Sequence, residues 1–173
     1  IVGAGPAGLT TAIKLKQLDP NLNVCILEKG SEVGAHILSG NVFETKALDE
    51  LIPNWKNEGA PVKTKVSKEK FLFLGKNSSL SWPTWLLPSV QKNHKNYIVS
   101  LANLCRWLAE QAEKLGVEIF PGFPASEVLY NEDGSIKGVA TLDMGLDKDG
   151  NKKDTYQEGM ELHAKVTVFS EGC

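Results

Sequence analysis

Ile1-Val2-Gly3-Ala4-Gly5-Pro6-Ala7-Gly8 opens the chain, and its reading decides the fold. Ile1 and Val2 are β-branched and end a strand. Glycines at 3, 5 and 8 then spell G-x-G-x-x-G, and a helix-compatible run starts at once through Leu9 to Ile13. Gly3 allows the tight turn out of the strand. Gly5 lets the backbone approach a pyrophosphate, and Gly8 lets the helix pack closely on the sheet. Pro6 has no N–H to lose and suits a first helical turn. Ala7 and its neighbours present free N–H groups and a partial positive charge to phosphates. The run Asn23-Val24-Cys25-Ile26-Leu27-Glu28 reads as a second strand closing on an acid, with Glu28 twenty residues after Gly8. The dinucleotide fingerprint expects a carboxylate there for ribose hydroxyls. A carboxylate disfavours a 2′-phosphate, so FAD or NAD is expected over NADP.

Composition narrows the rest. The 173 residues are enough for a real core of about one domain. The chain is 42% hydrophobic and 23% charged, as soluble globular chains are. A net charge of −2 gives no reason to expect nucleic acid. No run reaches the roughly 18–20 apolar residues of a spanning helix. No signal peptide is visible. The chain reads as clipped at both ends, starting on a strand's last residues and stopping directly after an apolar strand. Cys25, Cys105 and Cys173 are far apart, with no C-x-x-C to suggest zinc or an iron–sulfur cluster. Buried free thiols are the expectation for Cys25 and Cys105.

Working outward, residues 7–18 are expected as the first helix, with Leu9, Ala12, Ile13 and Leu18 apolar and lysines at 14 and 16. Asp19-Pro20-Asn21 stops it. The Gly- and Ser-rich stretch 29–41 follows and can lay backbone groups against a flat ligand. His36 lies there without a visible carboxylate partner, which favours packing or hydrogen bonding beside a cofactor over base catalysis. Residues 44–52 suit a short helix ended by Pro53, and lysines recur at 56, 63, 65, 68 and 70. Phe71–Leu74 is strand-like.

Leu80-Ser81-Trp82-Pro83-Thr84-Trp85-Leu86-Leu87-Pro88-Ser89 is the least ordinary segment. Pro83 and Pro88 forbid a regular helix or central strand. So apolar a loop is expected to be hidden or functional. Trp and Leu flanked by Lys76, Lys92 and Lys95 suit a membrane interface. The other reading is a loop folded over its own core or over an apolar substrate.

Tyr97–Val99 reads as a short strand. Residues 100–115 form a helix marked by Leu101, Leu104, Leu108, Ala112 and Leu115 and stopped by Gly116. Residues 117–120 are a third parallel-type strand. Residues 127–130, 136–141 and 160–169 then read as an antiparallel meander whose last strand rejoins the main sheet. Asp147, Asp149, Asn151 and Glu158 fall at calcium-loop positions. Lys152 stands where that loop needs glycine and strands flank it, so a solvated hairpin turn is expected.

The plan resembles glutathione-reductase-type FAD domains: parallel βαβ, the helix ending Ala112-Glu113-Lys114-Leu115-Gly116-Val117-Glu118-Ile119, a meander, and a strand ending Glu171-Gly172. That implies an α/β, Rossmann-like FAD-binding domain with an inserted antiparallel meander. Three parts are assigned within a partial domain: residues 1–40 (βαβ and flavin loop), 71–96 (apolar insertion) and 126–170 (meander and return strand). Val33-Gly34-Ala35-His36-Ile37-Leu38-Ser39-Gly40, Gly116 through Leu129, Gly138-Val139-Ala140-Thr141 and the ending 161–173 are similar to the electron transfer flavoprotein–ubiquinone oxidoreductase family.

The resemblance implies an N-terminal FAD-binding portion of a peripheral membrane flavoenzyme. Such an enzyme takes electrons from reduced electron transfer flavoprotein and passes them to ubiquinone through FAD and a [4Fe–4S] cluster. It implies a place on the matrix face of the mitochondrial inner membrane, or on a bacterial cytoplasmic membrane. By position, Gly3, Gly5, Pro6, Ala7 and Gly8 would hold the pyrophosphate, Glu28 the adenosine ribose and Lys29 the edge of that pocket. Gly34, Ala35, His36, Leu38, Ser39 and Gly40 would run beside the flavin. Val128 would lie near the adenine, and Glu171 and Gly172 near the pyrophosphate. Trp82, Pro83, Trp85, Leu86 and Leu87 would meet the bilayer and border the quinone channel. No residue is assigned a catalytic acid–base role, and no metal ligand is assigned. The cluster cysteines belong to the family's C-terminal part and are absent from this sequence. Many relatives carry Arg at the position of Ser100; Arg106 sits roughly a turn and a half further along. The segment alone is expected to bind FAD poorly, or not at all, and to be inactive. Other flavoenzymes of the fold, of geranylgeranyl reductase or aromatic hydroxylase type, and a non-catalytic membrane-docking nucleotide module stay open as alternatives.

Overall fold

A computed structural model describes residues 1–172; Cys173 lies outside the described residues. In chain order the elements are α1 (Pro6–Leu18), β1 (Cys25–Glu28), β2 (Asn41–Phe43), α2 (Lys46–Leu51), β3 (Thr64–Lys65), β4 (Phe71–Leu74), β5 (Ser79–Trp82) and β6 (Tyr97–Val99). Then follow α3 (Leu101–Lys114), β7 (Glu118–Pro121), β8 (Ala125–Tyr130), β9 (Ile136–Thr141), β10 (Met144–Leu146), β11 (Lys152–Gln157) and β12 (Glu161–His163). Two compact units result, one of residues 1–37 and 105–172, the other of residues 38–104.

The first unit is built on parallel pairing. Val2 bridges Leu27 on one side and Phe169 on the other, both in parallel, and β1 pairs in parallel with β7. The lateral order is therefore β7, β1, Val2, Phe169, with the opening strand inside. A strand flanked on both edges is apolar, as Val2, Ile26 and Leu27 are. Leu9, Ala12 and Ile13 of α1 are fully buried. Two residues of α1 depart from what their type suggests. Leu18 is exposed, and Lys16 is buried, its Nζ donating to the carbonyls of Pro20 and Leu22 at 2.6 and 3.1 Å. Lysine can do this because its long apolar stem packs while its ammonium reaches the carbonyls after the helix.

On α3 the buried stripe is wider than spacing suggested. Leu104, Cys105, Trp107, Leu108, Ala109, Gln111 and Ala112 are all buried, whereas Leu115, past the helix end, is 40% exposed. Gly116 stops the helix in a left-handed conformation, φ 81°.

Beyond β7 the pairing turns antiparallel, in the order β12-β9-β8. Val139 of β9 packs with Val2 and Leu27, and Phe123, Ala125 and Leu162 lie against them. β10 and β11 form a separate hairpin whose turn is held by Asp147, which accepts from the amides of Asp149 and Asn151. The expected single strand over 160–169 is broken: β12 ends at His163, the chain bends at Lys165 and Val166, and only Phe169 joins the parallel sheet. A chain leaving an antiparallel sheet to enter a parallel one must change direction, and the bend does that.

The second unit is a three-stranded antiparallel sheet, β2-β6-β3, with α2 and a separate hairpin of β4 on β5. Trp55 is its anchor: buried, its indole N–H donates to Asp49 at 2.7 Å, and its ring meets Tyr97 edge-on at 6.1 Å. The segment read as an apolar loop is partly strand. Ser79–Trp82 pairs with Phe71–Leu74, and Pro83 ends the strand instead of interrupting it. One short 3-10 turn then spans Thr84–Leu86 and another Ser89–Gln91.

Candidate functional site

The carboxyl ends of the parallel strands define the site, because that is where turns diverge and a ligand can enter. Val2 leads into the glycine turn, β1 ends at Glu28, and Phe169 leads to Ser170 and Glu171. Backbone hydrogen bonds stitch these ends together. Gly3 N–H donates to the Leu27 carbonyl at 2.8 Å, and Ser170 N–H to the Val2 carbonyl at 2.8 Å.

Within the turn the three glycines differ. Gly3 has φ 98°, and a Cβ there would sit 2.6 Å from the Ser170 carbonyl oxygen, so both conformation and contact demand glycine. A Cβ on Gly8 would collide with the Gly3 carbonyl oxygen, which fixes the close approach of α1 to the turn. At Gly5 neither reason applies. Its φ is −77°, and the nearest atom to an added Cβ is 4.0 Å away. The space beside Gly5 is open, and a side chain would fill it.

Gly5 is also the N-cap of α1. It has no side-chain cap, Pro6 stands in the first turn, and no acid occupies that turn. The first intrahelical bond runs from Leu9 N–H to the Gly5 carbonyl at 3.0 Å, so the amides of Ala7 and Gly8 precede the ladder. Pro6 and Ala7 are exposed. Such a helix start accepts an anion, and the open space at Gly5 accommodates its approach.

Glu28 closes the turn from β1. Its Oε2 accepts from Ala4 N–H at 2.9 Å and its Oε1 from Gly30 N–H at 2.7 Å. The carboxylate thus holds the glycine turn and the following loop at once. Neither Ala4 nor Gly30 stood out in the sequence. Gly30 lies two residues after the acid, and a Cβ there would lie 3.1 Å from Glu28 Oε1. Lys29 is exposed beside it.

Gly34 is buried with φ 86° and its carbonyl accepts from Ile37 N–H, while Ala35 and His36 are exposed. Leu38, Ser39 and Gly40 are exposed residues of the second unit. Val128 is half-buried in the middle of β8, opposite Val139, and no described hydrogen bond ties it to the glycine turn. Glu171 and Gly172 are exposed, with the Glu171 Cα within 3.4 Å of a Cβ built on Gly3. Ser100 precedes α3, and its hydroxyl accepts from Asn103 N–H at 3.4 Å. Arg106 pairs with Glu32 at 2.9 Å. Cys105 is fully buried, and desolvation, with the Glu28 charge adding to it, pushes its thiol up to about 11, so it stays protonated and unreactive.

In the second unit the residues assigned to a membrane separate into two kinds. Trp82, Trp85 and Leu86 are exposed, Trp85 by 74%. Leu87 is buried and so cannot meet lipid with them. β4 and β5 are exposed along their whole lengths, and Phe73 stacks edge-on with Phe71 and Trp82. No helix among the described residues is long and apolar enough to cross a membrane.

Residues 1–56 match the model of an NAD(P)-binding Rossmann-like domain family. The whole chain is 56% identical to an electron transfer flavoprotein–ubiquinone oxidoreductase, mitochondrial, of Dictyostelium discoideum, and 54% identical to a probable one of Acinetobacter baylyi. This chain is a homologue of the electron transfer flavoprotein–ubiquinone oxidoreductases. It spans 29% and 31% of those two relatives' own lengths. Among solved structures, the FAD-dependent chondrochloren halogenase of a myxobacterium aligns over 99% of this chain and 36% of its own, with a TM-score of 0.60 at 18% identity. That likeness shows the fold: an α/β, Rossmann-like domain.

Proposed function

We propose that this chain is the FAD-binding portion of an electron-transferring-flavoprotein dehydrogenase, an oxidoreductase that moves electrons from reduced electron transfer flavoprotein to ubiquinone. The carrying observation is identity above one half along the entire chain to proteins of that name. The glycine turn supports a pyrophosphate-bearing dinucleotide, as FAD is. Gly5 is free of any conformational or packing need to be glycine, which an approaching pyrophosphate supplies.

Bound FAD supplies the redox chemistry; the protein binds it, orients it and sets its surroundings. Gly3, Gly5, Pro6, Ala7 and Gly8 form the pyrophosphate cradle through backbone N–H groups and the α1 terminus, with Glu171 and Gly172 at its edge. Glu28 takes the adenosine ribose. Its two oxygens already hold two amides, and ribose hydroxyls would use the remaining lone pairs. Lys29 borders that pocket and Val128 the adenine. Gly34, Ala35, His36, Leu38, Ser39 and Gly40 run beside the flavin ring. The [4Fe–4S] cluster lies, on this reading, outside these 173 residues. On this reading residues 1–40 and 126–170 are parts of a glutathione-reductase-type domain with an inserted meander.

Peripheral membrane contact is the second part of the proposal. Residues 71–96 dock on the bilayer through Trp82, Pro83, Trp85 and Leu86, at the mitochondrial inner membrane's matrix face or a bacterial cytoplasmic membrane. The exposed apolar hairpin supports it, since solvent-facing apolar clusters of this kind mark interaction surfaces.

The test uses the full-length polypeptide loaded with FAD. Flavin reduction by reduced electron transfer flavoprotein, followed by reoxidation with a ubiquinone analogue, is expected. Flavin reduction by NADPH alone would overturn the reading.

A further inference from the structure

The polar stretch after α2 lies in the more basic of the two units. Residues 38–104 carry nine lysines against five acidic residues, while the remainder carries ten basic against sixteen acidic. Three of those lysines, Lys56, Lys63 and Lys65, line one open pocket of about 530 Å³. Its floor is apolar and buried: Trp55, Ala60, Val62 and Tyr97. No carboxylate lines it. Lys56 Nζ stands 5.2 Å from the Trp55 ring and Lys65 Nζ 5.9 Å from the Tyr97 ring. None of the three lysines has an ion pair among the described residues, although Lys56 still feels the charge of Asp49. Glu69, the nearest acid after Lys65 in sequence, is engaged by the Asn93 amide at 2.9 Å.

Three exposed ammoniums around an aromatic floor, with no carboxylate among the lining residues, favour an anion. The anion must be compact, with several acceptor oxygens, and must tolerate an apolar floor. Phosphate carried on a larger molecule fits. The pocket is also tethered to the apolar hairpin: Lys65 and Phe71 are six residues apart, about 20 Å at full extension. Lys68 and Lys70, both exposed, fill the interval.

We propose that this pocket is a headgroup site for an anionic phospholipid, in which Lys56, Lys63 and Lys65 hold the phosphate while the Phe71–Trp82 hairpin enters the apolar layer. It rests on the membrane reading above and adds lipid selectivity to it. Docking on lipid then has two separable parts, one apolar and one ionic, and the ionic part is local to three side chains.

The full-length polypeptide is titrated with vesicles of phosphatidylcholine alone and with vesicles carrying one-fifth phosphatidylglycerol. The wild type should prefer the anionic vesicles. The triple variant K56Q/K63Q/K65Q should lose that preference, by about fivefold per lysine near the surface, and keep its affinity for neutral vesicles. A matched triple variant, K14Q/K148Q/K153Q, changes net charge equally and should keep the preference. Equal loss in both triple variants would overturn the site, leaving only overall charge. So would an unchanged preference in K56Q/K63Q/K65Q. Inorganic phosphate at millimolar concentration separates the phosphate sources: saturable binding without any preference for anionic vesicles overturns the lipid assignment in favour of a free-phosphate site. A preference for an acidic protein partner, retained while vesicles show none, also overturns it. Loss of neutral-vesicle binding in W82D/W85D reports on the hairpin alone, so a failure of the membrane reading is distinguishable from a failure of the headgroup site.

Discussion

Gly5 and Gly8 stand three residues apart in one turn and answer to different masters, which makes them separable by substitution. Gly8→Ala drives a methyl into the Gly3 carbonyl, so it should cost about 1–3 kcal/mol, read as a lowered midpoint in thermal unfolding. Gly5→Ala meets nothing within the protein and should leave the midpoint within a few degrees. In the full-length protein it should nevertheless weaken FAD retention by at least about tenfold, or ~1.4 kcal/mol. Equal FAD retention in wild type and Gly5→Ala would remove the pyrophosphate from that space. Glu28→Gln tests the acid. Glutamine offers one acceptor oxygen where two amides need one each, and its NH2 would face an N–H, so a loss of about 1–3 kcal/mol is expected. Cys105 gives a pH signature. Its thiol is held protonated up to about 11 by burial, whereas an unfolded thiol ionises near 9. Between those values the folded state binds the extra proton, so stability falls as pH rises, by about 2–3 kcal/mol in all. Cys105→Ala should flatten that alkaline slope in denaturant titrations across pH 8–11.

At the scale of elements, α1, β1, α3 and the strands of the parallel sheet are legible in the sequence, because period and punctuation agree there. Local patterning fails where tertiary contacts reverse it. Lys16 is polar by type but buried, because the carbonyls after α1 turn back to meet its ammonium. Leu18 and Leu115 are apolar by type but lie past the packed stripes. The break after His163 could not be read from Glu161–Phe169, an almost continuous strand-forming run. Only the need to pass from an antiparallel to a parallel neighbour creates it. For the site, the glycines and Glu28 are visible from spacing, but the amides of Ala4 and Gly30 are not, since backbone donors leave no mark on side-chain pattern. The hairpin carries its own contrast. Trp85→Asp alters an exposed side chain, so it should leave unfolding within about 0.5 kcal/mol while vesicle binding falls. Leu87→Asp, two residues on, puts a charge where the chain is buried and should destabilise by several kcal/mol.

Across the whole chain, charge is divided unevenly: residues 38–104 carry net +4 and the remainder −6. Salt therefore acts selectively. Raising ionic strength from 0.05 to 0.5 M shortens the Debye length to a few ångströms and should erase most of the preference for anionic vesicles. Binding to neutral vesicles, driven by the apolar hairpin, should change little in the same titration. A salt-independent preference would mean that headgroup charge is not what is recognised. Long-range pairing also sets a timetable. Val2 is held on one side by Phe169, which is made 167 residues later. Ribosomes add about 5–20 residues each second, so Val2 waits roughly 10–30 s for that neighbour. During the interval Gly3 lacks the Ser170 carbonyl that packs against it, and the inner strand of the finished sheet is an open edge. The strand at Val2 is thus prone to pairing with the wrong neighbour until residue 169 clears the tunnel.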